Sequence, residues 1–351
     1  MSEVRFGIIG AGGIAYSSCN AILNHENGKV VAATDVNEQR LKELCDKFEI
    51  PNAYKSTEEL LACEDVDAIY IAVPNKFHAP LALQALNAGK DVILDKPFAM
   101  NYAEAKEVAD LAKAKGKHLM IGMNQRYRKD SQKIKSLIQK GVLGEIYHAK
   151  AYWFRREGIP KLGTWFGNKE LSGGGCTLDI GVHLLDLMLF LLGNFEPISV
   201  SGKTYTKFGN RGLGEGGWGK SDKDPNIVFN VDDFATAFIR LSNDVTVTLD
   251  VSWAIHTELE NKNNVEVFGE EGGAIAYPAK LFRVDPAREE YDVVEKPRGD
   301  ILLPDQCRFS NFINTILGKE EPLCKVEEAL AVQKILDAIY ESCKTGKEVI
   351  L

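Results

Sequence analysis

With 351 residues, the chain exceeds the size at which one hydrophobic core keeps growing, so two domains are expected. Apolar residues make up 45% and charged residues 26%, an ordinary globular balance that leaves no long disordered half. The 42 Lys and Arg against 50 Asp and Glu give −8 with no basic block, and seven scattered Cys never form C-x-x-C, so nucleic acid, a disulfide framework and a zinc knuckle are excluded.

The first residues run straight into a strand-like segment without the charged start and cleavage site of a signal peptide, and a cytoplasmic location is expected. From Val4 to Gly122, apolar runs of strand length alternate with segments of helical period. Strands are predicted at Val4 to Ile9, Lys29 to Thr34, Ala68 to Val73, Asp91 to Leu94 and His118 to Ile121. Ser56 with Glu59 and Asn101 with Glu104 have capping-box spacing, and Gly89 and Gly116 stand where C-terminal caps belong. This alternation predicts an α/β Rossmann fold, a doubly wound parallel sheet over residues 1–122.

The first turn decides what such a sheet binds. Gly10-Ala11-Gly12-Gly13-Ile14-Ala15 is a G-x-G-x-x-A fingerprint between strand and helix. Gly10 permits the tight turn, Gly12 lets a pyrophosphate approach the backbone, and the amides of Gly13 and Ile14 open the helix that would hold the phosphates. Asp35 closes the second strand where an acid bonds the adenosine ribose. A carboxylate there repels a 2′-phosphate, so NAD is expected over NADP, although Arg40 lies one turn on.

Two further loops lie at strand carboxyl ends, where ligands of such sheets sit: Pro74-Asn75-Lys76-Phe77-His78 and Asp95-Lys96-Pro97. Pro97 biases Lys96 toward an extended conformation, from which its ammonium can reach a substrate oxygen.

Residues 123–351 read as an α+β domain with an open, mainly antiparallel sheet. Asn124 to Gly144 reads as a loop, with Arg126 and Tyr127 as candidate substrate contacts, and an amphipathic helix ending at Gly141. Strands follow at Ile146 to Trp153, Ser199 to Thr206, Ala235 to Leu241, Val245 to Trp253 and Val265 to Phe268, with helices at Asp305 to Leu317 and Lys325 to Cys343. Arg155 and Trp165 could line a sugar pocket by bidentate bonds and stacking, or pack as core. The segment 207–230 holds six Gly and Trp218, and reads either as a flap or subunit arm or as a solvated loop.

Between them lies Leu171 to Gly193, apolar from Thr177 onward apart from Thr177, Gly181, Asp179, His183 and Asp186. At about 100° per residue the last three fall within an arc of roughly 60° on one helix face. The stretch is nearly long enough to cross a membrane, but three ionisable groups and no second span make it a buried helix whose polar stripe must meet a cavity, a partner or a ligand.

Taken together, Gly10 to Ala15, Val73-Pro74-Asn75 with His78, Gly89 to Val92, Asp95-Lys96-Pro97, Gly173 to Asp186, Val231-Asp232-Asp233 and Ser252-Trp253 resemble the glucose-fructose oxidoreductase, inositol dehydrogenase and MocA family along essentially the whole chain. The resemblance implies a dinucleotide-binding domain, a substrate domain whose sheet often forms a homodimer or homotetramer interface, and oxidation or reduction of secondary alcohols of sugars and cyclitols. It matches Lys96 to the family's catalytic lysine, Asp179 to its acid and His183 to its catalytic histidine, with Pro74, Asn75 and His78 on the cofactor side. One departure is Asp95 where Glu is usual. On this reading Lys96 donates to the reacting oxygen, His183 is the acid/base, and Asp179 anchors a hydroxyl. Asp186 either orients His183 or contacts ligand, or satisfies a buried network. The competing expectations are a metal on the Asp-His-Asp stripe, which lacks a second His or Cys at ligand spacing, a cofactor-sensing regulator, and NAD-assisted glycoside cleavage.

Overall fold

A computed structural model describes residues 2–217, 223–224, 226, 228–285, 290–303 and 307–351. Trp218 and the predicted start of the helix at Asp305 lie outside the described residues. The first half builds six parallel strands, β1 (Val4–Ile9), β2 (Gly28–Thr34), β3 (Asn52–Tyr54), β4 (Ala68–Ile71), β5 (Asp91–Leu94) and β6 (Leu119–Ile121), in the order β3-β2-β1-β4-β5-β6. The order reverses on either side of β1, which places a crevice at the carboxyl ends of β1 and β4. Helices α1 (Gly13–Leu23), α2 (Glu38–Phe48), α3 (Thr57–Leu61), α4 (His78–Asn87) and α5 (Tyr102–Lys115) join them. Local chemistry fixes their ends: Ser56 accepts the Glu59 amide, Asn101 accepts the Glu104 amide, and Gly116 closes α5 in the left-handed region.

After α6 (Lys129–Gln139) the second domain forms. Its strands are β7 (Ile146–Arg155), β8 (Pro197–Tyr205), β9 (Phe234–Leu241), β10 (Thr246–Ser252), β11 (Asn261–Gly269), β12 (Gly273–Ile275), β13 (Lys280–Asp285), β14 (Glu290–Glu295) and β15 (Val349–Ile350). They make one nine-stranded sheet in the order β14-β13-β12-β11-β7-β10-β9-β8-β15, antiparallel except for the parallel pair β7 and β10. One face packs on α8 (Val182–Leu192) and α10 (Val326–Thr345), reached through the short α7 (Lys169–Ser172). Leu184, Leu185, Leu187, Met188, Leu189 and Leu191 are fully buried, so the apolar stretch is a core helix in this fold.

The chain then returns to the first sheet. In α9 (Arg308–Ile316), Phe312 lies 6.3 Å from Phe6 and Phe309 makes an edge contact with Tyr70 at 5.1 Å. From α10, the Asp337 carboxylate accepts the Tyr102 amide at the start of α5 at 2.7 Å. These contacts hold the carboxyl edge of the first sheet against the helix face of the second.

Candidate active site

The loop after β5 delivers Lys96 across the domain boundary, with Lys96–Pro97 in the cis form. Its ammonium donates to Asp179 Oδ1 and to the Asp179 carbonyl, both at 2.8 Å. The Trp253 indole N–H donates to the other carboxylate oxygen, Oδ2, at 2.8 Å. Burial pushes the Asp179 carboxyl upward, but the Lys96 charge and hydrogen bond outweigh it, so the group lies below its usual range and is ionised at neutral pH. An ammonium has three donors, and Asp179 takes two. One N–H of Lys96 is left for a ligand.

His183 sits one turn along. Its Nδ1 is buried without a partner, and its ring centroid lies 6.5 Å from that of Trp153. Burial, reinforced by the Lys96 cation, pushes its pKa down to about 3 against the opposing pull of Asp179 and Asp95. The imidazole is therefore neutral at pH 7 and has a lone pair to accept a proton.

The helix carrying both residues begins as a π-turn over Thr177–Gly181, where the Val182 amide reaches back to the Thr177 carbonyl. Asp232 anchors this start: its carboxylate accepts the amides of Gly175 and Thr177 and the hydroxyls of Thr177 and Tyr340, at 2.7 to 2.9 Å. Gly175 is required there, because a Cβ would stand 1.8 Å from the Asp232 carbonyl oxygen. A π-turn rotates less per residue than an α-helix, so Asp179 stays above His183, while Asp186 lies about 60° round the α-helix from His183.

Asp186 consequently does not face the site. It is fully buried and pairs with the equally buried Arg126, whose Nε lies 2.9 Å from Oδ2 and Nη2 2.5 Å from Oδ1. Arg126 also bonds Glu328 and the Leu323 carbonyl, and its guanidinium lies 5.1 Å from the rings of both Phe190 and Phe195. Tyr127, 2% exposed, donates to Asn311 Oδ1 at 3.1 Å. The expectation that Arg126, Tyr127 and Asp186 contact substrate is corrected: their polar atoms are used inside the core.

His78 is corrected in the same way. It is buried, with Nδ1 2.7 Å from the Pro97 carbonyl and Nε2 3.0 Å from that of Val73, and so ties the two loops together instead of meeting a cofactor. Asn75 donates to the Ser172 carbonyl at 2.7 Å, linking the loop that begins at Pro74 to the end of α7. Arg155 is half-buried 4.7 Å over the Trp153 ring, and its charge helps to hold Asp179 ionised. Trp165 stacks on Phe166 at 3.8 Å. Its loop is bonded to the glycine-rich segment through Gly158 and Ile159 to the Gly214 carbonyl, Asp224 to Gly163, and Asn230 to Gly167. The described part of that segment is thus packed on its neighbour and is more than a solvated connection.

At the other end of the crevice, Gly10 has φ +100° and a Cβ there would meet the Ala72 carbonyl oxygen at 2.4 Å, so the turn itself demands glycine. At Gly12 no protein atom lies within 4 Å of the Cβ position. The chain does not need that glycine for its own packing, which leaves an open cradle at the uncapped start of α1, with Ile14 46% exposed beside it. Asp35 holds the loop through the amides of Ala11 at 2.6 Å and Asn37 at 2.7 Å. With Val36 fully exposed next to it, the cradle has a shape and donor set that a pyrophosphate and a ribose would fit.

Trp253 and Asp232 were not singled out from the sequence as site residues. For Trp253 the signal is there: alternation puts it on the inward face with Val251, Leu249 and Val247, and a buried indole N–H needs an acceptor.

Comparison with known proteins agrees with this geometry. Residues 4–123 match the oxidoreductase family with the NAD-binding Rossmann fold, and residues 131–275 match the GFO/IDH/MocA C-terminal domain. D-glucoside 3-dehydrogenase of Escherichia coli strain K12 is 31% identical over 100% of this chain and 98% of its own length. Glucose-6-phosphate 3-dehydrogenase of Bacillus subtilis strain 168 is 30% identical over 71% of this chain and 67% of its own. The crystal structure of an NAD-binding protein from Listeria innocua superimposes with a TM-score of 0.81 at 29% identity, covering 99% of this chain and 97% of that one. Full-length likeness in sequence and fold makes this chain a member of the glucose-fructose oxidoreductase, inositol dehydrogenase and MocA family of NAD-binding oxidoreductases.

Proposed function

We propose that this protein is an NAD-dependent dehydrogenase acting on a secondary alcohol of a sugar or cyclitol, with a glucoside as the first candidate. The observation that carries the reading is the bonded set of Lys96, Asp179 and Trp253 beside a neutral His183, at the carboxyl edge of a nucleotide-binding sheet. The names of the Escherichia coli and Bacillus subtilis relatives, both dehydrogenases acting at position 3 of a glucose unit, support that substrate class.

The cradle at Gly12 to Ile14 would hold a pyrophosphate and Asp35 an adenosine ribose. NAD in that place supplies a two-electron hydride acceptor. The remaining work belongs to the chain. Lys96 donates its third N–H to the substrate oxygen, which stabilises negative charge as the hydroxyl proton leaves. Asp179, held at both oxygens, keeps Lys96 aimed. His183 accepts the proton, and the partnerless Nδ1 supports a ligand group at this place. Arg155 and Trp165 are candidates for the wall that selects the sugar. Asp35 supports NAD over NADP. We also propose that copies associate through the outward face of the second sheet, and that the protein works in the cytoplasm.

The test is a panel of methyl glucosides, glucose 6-phosphate, free hexoses and inositols with NAD and with NADP, read by nicotinamide absorbance. Reduction of NAD by at least one glucoside or cyclitol is expected. Clear NAD binding with no alcohol oxidised would sink the dehydrogenase reading.

A further inference from the structure

Arg308 opens α9 and reaches under the carboxyl ends of β4, β5 and β6. Its guanidinium, only 9% exposed, donates from Nη1 to the Gly122 carbonyl at 3.0 Å and to Asp95 Oδ1 at 3.1 Å. Nη2 lies 3.3 Å from both Asp95 Oδ2 and the Tyr70 hydroxyl oxygen. Asp95 in turn accepts the Lys96 amide at 2.9 Å and the Tyr70 hydroxyl at 3.0 Å. The residue that departs from the family's usual Glu is therefore a hub. It ties the Lys96 turn to a cation supplied from 213 positions further along the chain.

We propose that Arg308 is a positioning residue for the reaction: through Asp95 it fixes the turn that carries Lys96, and as the counter-ion of Asp95 it balances a buried charge near His183. This rests on the assignment of Lys96 and His183 made above.

The electrostatic part follows from which charges face His183. From the first domain come Lys96 and Asp95, from α9 comes Arg308, and from its own helix comes Asp179. They form two pairs, Lys96 with Asp179 and Arg308 with Asp95, so neither domain presents an unbalanced charge to the ring. Asp186, also on α8, is neutralised by Arg126, and Arg155 acts on Asp179. Losing Arg308 alone leaves a buried carboxylate near the imidazole, which favours imidazolium. Losing the Asp95 charge alone leaves a cation, which disfavours it.

The test compares Arg308→Met, Asp95→Asn and the double variant with wild type in kcat, KM, NAD affinity and the acid limb of kcat/KM. For Arg308→Met the expected result is a fall in kcat on the order of 10-fold or more at unchanged NAD affinity, with the acid limb moved toward neutral pH. Asp95→Asn should lose kcat without that movement. The double variant removes both buried charges, and should return the limb to the wild-type position while kcat stays low. A merely structural pair would lower the amount of folded enzyme and move no limb. Wild-type kcat in Arg308→Met, or a limb that coincides with wild type, overturns the proposal. If the single variants do not fold, the double variant decides, and wild-type kcat there overturns it. Lys96→Ala and His183→Ala run alongside: activity retained in those two would show that the underlying assignment has failed, not the role of Arg308.

Discussion

Lys96 and His183 should fail in different ways. Lys96→Ala removes the oxygen donor and also strips Asp179 of its bonded cation, leaving a buried carboxylate with the Trp253 hydrogen bond and the more remote charge of Arg155. Turnover is expected to fall by about 10² or more, with a loss of stability that is greatest at neutral pH, where the buried carboxylate is charged without its partner, and is relieved as pH falls and the folded chain takes up a proton at Asp179. His183→Gln should lower turnover by a similar factor, about 10² or more, and act on stability through the proton that the buried imidazole refuses. The folded-state pKa of His183 is about 3 against a usual 6.5, so protons bind the unfolded chain first. Its contribution is fully present above about pH 6.5 and is lost as pH falls toward 3. Denaturant midpoints at pH 7 and pH 5 should therefore differ less in His183→Gln than in wild type, and an equal difference would contradict the depressed value. At the other end of the crevice, Asp35→Ser removes the carboxylate that repels a 2′-phosphate. The ratio of NADP to NAD dissociation constants should narrow, since the carboxylate is the group there that repels a 2′-phosphate. An unchanged ratio, measured by fluorescence titration, would place the discrimination elsewhere.

At the level of elements, the first half was legible because its rules are local. Strand β1 followed by G-x-G-x-x-A, the caps at Ser56 and Asn101, and the Gly at the ends of α4 and α5 each act within a few residues, and they fell where the spacing put them. The helix of the site was half legible. A uniform rotation of about 100° per residue groups Asp179, His183 and Asp186, and nothing local announces the π-turn that separates them. The cause lies in Asp232, 55 positions beyond Thr177, and in Lys96 bonding the Asp179 carbonyl from another domain. The assignment of Asp186 to the core has its own test. Asp186→Asn strands Arg126 in the interior with Glu328 and the Leu323 carbonyl as its remaining partners. Removing one partner of such a pair costs about 3–5 kcal/mol. Unfolding free energy should fall by that order while kcat of the folded enzyme holds, and a large drop in kcat at wild-type stability would return Asp186 to the site.

At the scale of the whole molecule, the sheet of the second domain was the least legible part. Strands β7 to β11 show alternation, but β12 and β15 are three and two residues long, too short for a period to register. The parallel pairing of β7 with β10 joins segments about ninety positions apart, with α8 and the antiparallel pair β8 and β9 between them. Docking of α9 on the first sheet is equally remote: its apolar face is visible in the sequence, and the sheet that receives it is not.

The same sheet leads to a prediction about assembly. Its inward positions, Ala149, Ala151, Ala235, Ala237, Ile239, Val247, Leu249 and Val251, are buried toward α8 and α10. Alternation turns their neighbours outward. There Tyr205 pairs with Phe234, with ring centroids 5.8 Å apart, and Phe234 stacks on Phe154 at 6.4 Å across the small Ser252, which lies in register with both. Phe154 stacks in turn on Tyr152 at 6.0 Å. A row of aromatics from three strands, bridged by Ser252 of a fourth and with Tyr205 40% exposed at its end, is the composition of the centre of a protein interface, where Tyr and Phe are enriched. A second copy related by a two-fold axis would lay the row against itself, giving a self-complementary contact. Phe234→Glu puts a carboxylate into the middle of that row without touching the inward face or the crevice. In sedimentation-velocity runs wild type is expected to sediment as a dimer or tetramer and Phe234→Glu to shift toward monomer, with the far-ultraviolet circular dichroism of the two the same. Wild type sedimenting as a monomer, or a Phe234→Glu variant that keeps the wild-type assembly, would mean that this face is not where copies meet.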